Sequence, residues 1–244
     1  MSKSVVFYNK FSPHYRSYSQ KKNLYIQGID RLILNNLPTI KCKIIDMGCG
    51  DGVRGRNLFQ KIKGDDLLLI DNSPKMIALS KKLKTDNIRV NRFNISKLNA
   101  VNIIKGKFDI ILCLWNVFGH IPTEQGRLNA LNNMRNLLNP NGRIYIDVNN
   151  RYNIIQYGLK NVVVNIIKDV VKTNKINGDF GLQISTPSDL KIKTICHIFT
   201  PTEIKNLIKL SKLEMIKEIP VNYLTGLIEK TIFGGQLFYI LKLI

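Results

Sequence analysis

Residues 44–52 read Ile-Ile-Asp-Met-Gly-Cys-Gly-Asp-Gly: an apolar run, an acid, then three glycines at alternate positions. The pair Ile44-Ile45 predicts the end of a buried strand. Gly48, Gly50 and Gly52 remove side chains where the backbone must turn sharply, because glycine tolerates positive φ and lets a ligand approach the main chain closely. Asp46 puts a carboxylate at the mouth of that turn. A strand, a glycine turn and a following helix predict a nucleotide-type pocket at the strand's carboxyl end. Gly50-Asp51-Gly52-Val53-Arg54-Gly55 also satisfies the dinucleotide pattern G-x-G-x-x-G, a weak signal taken alone.

The order of the acid and the glycines separates the two readings. Asp46-x-Gly48-x-Gly50-x-Gly52, closing a first strand, resembles motif I of the class I S-adenosylmethionine (SAM) dependent methyltransferases. In that family the loop packs against the methionine part of the cofactor. SAM has no phosphate, and an acid suits its free amino group but would repel a pyrophosphate. The resemblance covers about residues 5–150 and 195–244. It implies that Asp46, Gly48, Cys49 and Gly50 bind SAM.

Further along, Leu67-Leu68-Leu69-Ile70-Asp71 is a short continuous apolar run ending in an acid, as a central parallel strand reads. A carboxylate at that strand end accepts hydrogen bonds from both ribose hydroxyls of an adenosine, in SAM or in NAD. Asp71, followed by Asn72, is therefore assigned to the cofactor. Ser73 and Pro74 predict an N-cap and first turn, with Met76 one turn in, where the family packs an apolar side chain on the adenine or the core. Ile88–Phe93 predicts a third strand. After it the family carries an acid or amide that reads the adenine amino group. Asn94 is suited to this through its carbonyl oxygen, with Ile95 beside it.

Phe108–Leu114 predicts a fourth, apolar strand. The turn from Trp115 to His120 follows, where methyltransferases place cofactor and substrate contacts; Leu114, Asn116 and His120 are the candidates there. Thr123 to Leu138 has helical spacing, Asn139–Gly142 predicts a turn, and Arg143–Val148 a fifth strand. Leu-x-Pro-x-Gly before three apolar residues resembles a landmark of the class I fold. Thr200, Pro201 and Glu203 predict a helix start. Leu213–Tyr223 and Gln236–Leu241 predict two final strands, a closing hairpin with the last strand antiparallel.

Between these landmarks the chain is less regular. Residues 5–37 predict helix broken at Pro13 and ended by Pro38. Tyr8 and Tyr15 within it resemble an N-terminal lid that closes over SAM or the substrate. Val162–Val171 is very apolar and fits helix or strand; two β-rich stretches follow near 180–185 and 191–199. An insertion at this place commonly caps the active site in small-molecule methyltransferases. Tyr152, leaving the fifth strand, and His197, at the entry to the next helix, join His120 as candidate bases.

The 244 residues suffice for one large α/β domain, and 44% hydrophobic content supports a core. No apolar run spans a membrane, the N-terminus lacks a signal-peptide pattern, and Cys42, Cys49, Cys113 and Cys196 have no metal-ligand spacing. These features predict a cytoplasmic protein without a metal or membrane partner. The formal charge is +20, which raises nucleic acid as a partner. Yet 27 of the 37 basic residues are Lys, spread along the chain, whereas base and phosphate readers favour Arg. The adenine-N6, cytosine-C5 and ribose 2′-O signatures are absent.

The resemblance thus implies an α/β fold: a doubly wound, seven-stranded, mostly parallel sheet of Rossmann-like methyltransferase type, with a cap inserted between the fifth strand and the following helix. The expected divisions are an N-terminal helical lid (1–40), a SAM-binding core (41–150), a substrate cap (151–198) and the rest of the core (199–244). The expected reaction moves a methyl group from SAM to an N or O atom of a small-molecule acceptor. The alternatives are an RNA methyltransferase using the basic surface, an NAD-dependent oxidoreductase, and a non-catalytic partner subunit with the same fold.

Overall fold

The computed structural model describes residues 2–38, 42–97, 103–171, 178–185 and 191–244. Its strands are β1 (Lys43–Met47), β2 (Asp66–Asp71), β3 (Ile88–Arg92), β4 (Phe108–Cys113), β5 (Leu138–Val148), β6 (Asp179–Ser185), β7 (Lys191–His197), β8 (Leu213–Val221) and β9 (Gln236–Leu243). Seven of them form one sheet in the order β3-β2-β1-β4-β5-β9-β8, with β6 and β7 paired apart from it. The pairings from β3 to β5 are parallel, and β9 runs antiparallel to both β5 and β8. This is the doubly wound sheet with a reversed strand near its edge that the sequence predicts.

The interior strands are apolar because both their faces are covered; every residue of β4 is buried. Helices α3 (Asn23–Leu34) and α4 (Val53–Ile62) bring Tyr25, Ile29, Ile33, Leu58 and Phe59 to one face. The other face receives Ala130, Leu131, Met134 and Leu137 of α6 (Glu124–Leu137), and Ile204, Leu207 and Ile208 of α9 (Pro201–Leu210). Helix starts follow the caps read from the sequence. Ser73 Oγ accepts from Met76 N at the head of α5 (Pro74–Ser80), Thr123 Oγ1 from Gly126 N, and Thr200 Oγ1 from Glu203 N.

A third cluster decides where ligands go. Helix α1 (Lys3–Phe11) and a 3₁₀ turn through Pro13 lead into α2 (Tyr15–Lys21). Phe7 and Phe11 of α1 pack with Ile192 of β7, while Tyr8, Tyr15, Tyr18, Leu182 and Ile184 join the cluster's edge. The N-terminal helices and the β6–β7 hairpin therefore close over the carboxyl ends of the central strands as one roof. Between β5 and β6 lie α7 (Ile154–Tyr157) and α8 (Leu159–Val171), so Val162–Val171 is helix. Only Val162 of α8 is buried.

Two boundaries differ from expectation. Helix α3 stops at Leu34, before Pro38, with Asn35 as its C-cap. Asn139–Gly142 is not a free turn but a bulged extension of β5, which begins where Leu138 pairs with Phe108. Asp109 explains this: its Oδ1 accepts from the Asn139 amide at 2.6 Å and its Oδ2 from Lys43 N at 2.8 Å. Side-chain bonds thereby hold the segment to the sheet where Pro140 has no N–H to offer.

Candidate active site

Two adjoining cavities open at the strand ends beneath the roof. The larger spans about 860 Å³ of space free of protein atoms, open solvent at its mouth included. Its wall is built from consecutive strand ends: Gly48 and Gly50 after β1, Asp71 and Asn72 at β2, Phe93 to Ser96 after β3, and Leu114, Trp115 and Val117 after β4. The smaller, about 570 Å³, lies between α1, α2 and the β6–β7 hairpin. Tyr8, Tyr15, Trp115 and His120 line both, so these four side chains form the throat between them.

The glycine loop is shaped for close approach. Gly50 sits at φ 58°, and a Cβ there would lie 2.6 Å from the Tyr15 hydroxyl oxygen. Its N–H donates to Asp71 Oδ2 at 3.0 Å, while Asp71 Oδ1 accepts from Ser73 N at 2.8 Å. Two main-chain donors thus aim the Asp71 carboxylate along the cavity wall. Burial outweighs them and lifts its pKa to about 6. Asn94 Oδ1, expected to read the adenine, accepts from the N and Oγ of Ser96 at 3.0 and 2.8 Å. It lines the cavity as a loop-forming side chain whose oxygen is already in use.

Three expected cofactor contacts stand behind the wall. Asp46 is buried with its carboxyl against Gly55 and is absent from the cavity lining; burial pushes its pKa to about 7. Gly55 therefore serves the contact between α4 and β1, and the dinucleotide match at Gly50–Gly55 has a packing origin. Cys49 is buried with Sγ 3.6 Å from Ser80 Oγ, and Met76 is fully buried. Neither side chain lines a cavity. Asn116 lines only the smaller one.

At the throat, Trp115 and Asn116 have φ 60° and 58°, an uncommon conformation for side-chain-bearing residues and one that clusters at functional sites. Asp147, buried in β5, holds them there. Its Oδ1 accepts from Trp115 N, its main-chain oxygen accepts from Asn116 N at 3.2 Å, and its Oδ2 accepts from the Tyr25 hydroxyl at 2.7 Å. Asp147 is a positioning residue that the sequence reading missed, although a lone acid inside Ile144-Tyr145-Ile146-Asp147-Val148 was its visible signal.

His120 Nε2 lies 3.1 Å from the Tyr8 hydroxyl. Its Nδ1 is shielded from solvent and has no hydrogen-bond partner among the described residues. Burial lowers the ring's pKa to about 4 and raises that of the Tyr8 phenol, so both are neutral near pH 7. The throat thus holds a neutral imidazole and a neutral phenol in contact, with the ring's other nitrogen sealed inside the protein.

The other two candidate bases lie elsewhere. His197 Nδ1 is 2.7 Å from Asp179 Oδ1 and its Nε2 is 2.7 Å from Glu203 Oε1. It joins the hairpin to the head of α9 and lines neither cavity. Tyr152 donates to Asp169 Oδ2 at 3.2 Å beside the Arg151–Asp169 pair, where it fastens α8. Among the described residues no cluster suits a metal ion, and no helix is long and apolar enough to cross a membrane.

Residues 45–144 match the family model described as a methyltransferase domain. An uncharacterised protein of Rickettsia prowazekii is 34% identical over 131 residues, 51% of this chain and 50% of that protein. Glycine N-methyltransferase of Rattus norvegicus is 29% identical over 129 residues, 48% of this chain and 43% of the enzyme. The matched segments thus span about half or less of these relatives. The solved structure of an S-adenosylmethionine-dependent methyltransferase from Clostridium acetobutylicum superposes with a TM-score of 0.64 at 19% identity, covering 97% of this chain and 98% of that one. Residues 45–144 thus match a methyltransferase domain, and the strand order with its reversed β9 gives the chain the Rossmann-like fold of the methyltransferase neighbours.

Proposed function

We propose that this protein moves a methyl group from SAM to an N or O atom of a small-molecule acceptor held in the smaller cavity. The observation that carries the reading is the pair of cavities meeting at Tyr8, Tyr15, Trp115 and His120 beneath a roof made by the N-terminal helices and the β6–β7 hairpin. A polynucleotide would need an open basic groove to track its backbone; the acceptor space here is walled.

The larger cavity suits SAM in the groups that line it. Asp71 would accept from the ribose hydroxyls, the segment Phe93–Ser96 would bound the adenine, and the Gly48–Gly50 loop would admit the methionine part to the main chain. Bound SAM supplies an electrophilic methyl on a sulfonium that is already a good leaving group. The protein's share of the work is positioning and exclusion of water, and well-oriented reactants can gain about 7–11 kcal/mol of the barrier that way. Tyr15 and Tyr8 close over the loop, and Trp115, fixed by Asp147, sets the throat's width. The Tyr8 hydroxyl, paired with His120 Nε2 at the throat, is the neutral polar group that would meet the acceptor's reacting atom.

Thermal unfolding with S-adenosylhomocysteine (SAH) against NADH tests the reading. A ligand that binds the native state alone raises the midpoint. A rise with SAH and none with NADH is expected; a rise with NADH alone overturns the assignment.

A further inference from the structure

We propose, resting on the methyltransferase reading, that the smaller cavity takes an aromatic amine that is uncharged at neutral pH, and that it refuses amino acids. The argument starts from what the walls lack. None of the described residues lining this cavity is Asp, Glu, Lys or Arg. A carboxylate brought here would lose its hydration without meeting a cation, a desolvation that proteins avoid by pairing, neutralising or excluding the charge. Glycine, the acceptor in the name of the rat relative, carries such a carboxylate.

What the walls contain points to a flat apolar body. Phe7, Phe11, Tyr18, Phe180, Leu182 and Ile184 surround the space. Tyr18 and Trp115 stack with centroids 5.9 Å apart and planes inclined by 27°, presenting an aromatic face to whatever enters. Aromatic rings prefer offset-stacked or edge-on neighbours, and both geometries are available in this cluster. The Tyr8 hydroxyl, 3.1 Å from His120 Nε2 at the throat, is a neutral polar point against which a single N–H group can orient.

The chemistry selects the nitrogen. In the transfer its lone pair attacks the methyl carbon; the N–C bond forms, the S–C bond breaks, and that pair returns to sulfur. Positive charge passes from sulfur to nitrogen, and the nitrogen then releases a proton to water. An aliphatic amine enters as an ammonium with no lone pair, and a phenol needs a base strong enough to take its proton first. The throat offers only a weak base, His120 with its lowered pKa. An aryl amine arrives with its lone pair exposed, and its N-methylated cation is acidic enough to give its proton to a weak base.

Trp115 is the chain's single tryptophan, so its fluorescence reports on this cavity directly. SAH-saturated protein should show saturable quenching by 4-nitroaniline that glycine and sarcosine do not displace. Leu182→Arg, which touches only the smaller cavity, should weaken that quenching roughly tenfold or more while leaving SAH stabilisation intact. Transfer of labelled methyl from SAM should reach 4-methoxyaniline and not glycine. Absence of saturable quenching, displacement by glycine, quenching unchanged in Leu182→Arg, or methylation of glycine in preference to the aryl amine would each overturn the inference and leave the methyltransferase reading standing. Failure of SAH to stabilise the protein would overturn both.

Discussion

Asp71 illustrates how burial sets opposite pH dependences for fold and ligand. Its pKa in the folded chain is about 6, above the ordinary carboxylate value. The native state therefore keeps a proton that the unfolded chain has already lost. The group's contribution to stability falls as pH rises from the unfolded value through about 6, then levels. Ligand binding runs the other way, because the ionised carboxylate is the better acceptor for ribose hydroxyls. Calorimetry should show SAH affinity rising through pH 6 and reaching a plateau, with Asp71→Asn flattening the curve. Asp71→Ala should weaken SAH binding by roughly tenfold or more, about 1.4 kcal/mol, with the far-ultraviolet dichroism unchanged. At Gly50, a Cβ meets the Tyr15 hydroxyl oxygen at 2.6 Å and the backbone stands at φ 58°. Gly50→Ala should also lower SAH affinity, by pushing Tyr15 out of the lid.

Between elements, contact distances decide which substitutions are tolerated. Gly28 on α3 lies so near the turn after β8 that a Cβ would stand 2.2 Å from Gly226 O. Backbone there cannot give way as a side-chain tip can. Gly28→Ala should cost about 1–3 kcal/mol of overpacking strain, read as a lower midpoint in urea, although alanine is the better helix former. The His197 clamp makes a contrasting case. Its ring joins β7 to Asp179 on β6 and to Glu203 on α9, away from both cavities. His197→Gln should lower the thermal midpoint, at a cost of about 1–3 kcal/mol, while SAH affinity stays as in the parent; a loss of affinity would place His197 in the site. The β5 extension follows the same logic of local bonds, since Asp109 ties Asn139 to the sheet where the Pro-Asn-Gly pattern reads as a turn.

For the molecule as a whole, the +20 charge and the walled smaller cavity make different predictions about RNA. Scattered lysines bind polyanions through counterion release, so any affinity should collapse as salt rises. Filter binding of bulk RNA should be weak at physiological salt and insensitive to saturation with SAH. Tight binding coupled to SAH would favour the RNA alternative. The fold was legible because its signals are local and periodic: apolar runs ending in Asp71 or Leu114, caps at Ser73, Thr123 and Thr200, and glycines at the first strand end. The wall of the larger cavity was legible in part, since a strand end places its next residues in the cavity whatever the distant chain does. Asp46, Cys49 and Met76 defeated that inference because an acid, a thiol and a thioether beside a loop face either side of it. Only packing chooses the side.

The sequence by itself determined the class of sheet, the reversed last strand, the glycine loop and Asp71, because each rests on short-range rules of pleat, cap and turn. Tertiary structure decided the rest. It brought Tyr8 to His120 across 112 positions of chain, sent His197 and Tyr152 to structural duty, and set Asp147 beneath a strained Trp115. It also closed the N-terminal helices over the β6–β7 hairpin. Those outcomes depend on which distant faces meet, and burial there sets the charge states of Asp71, His120 and Tyr8.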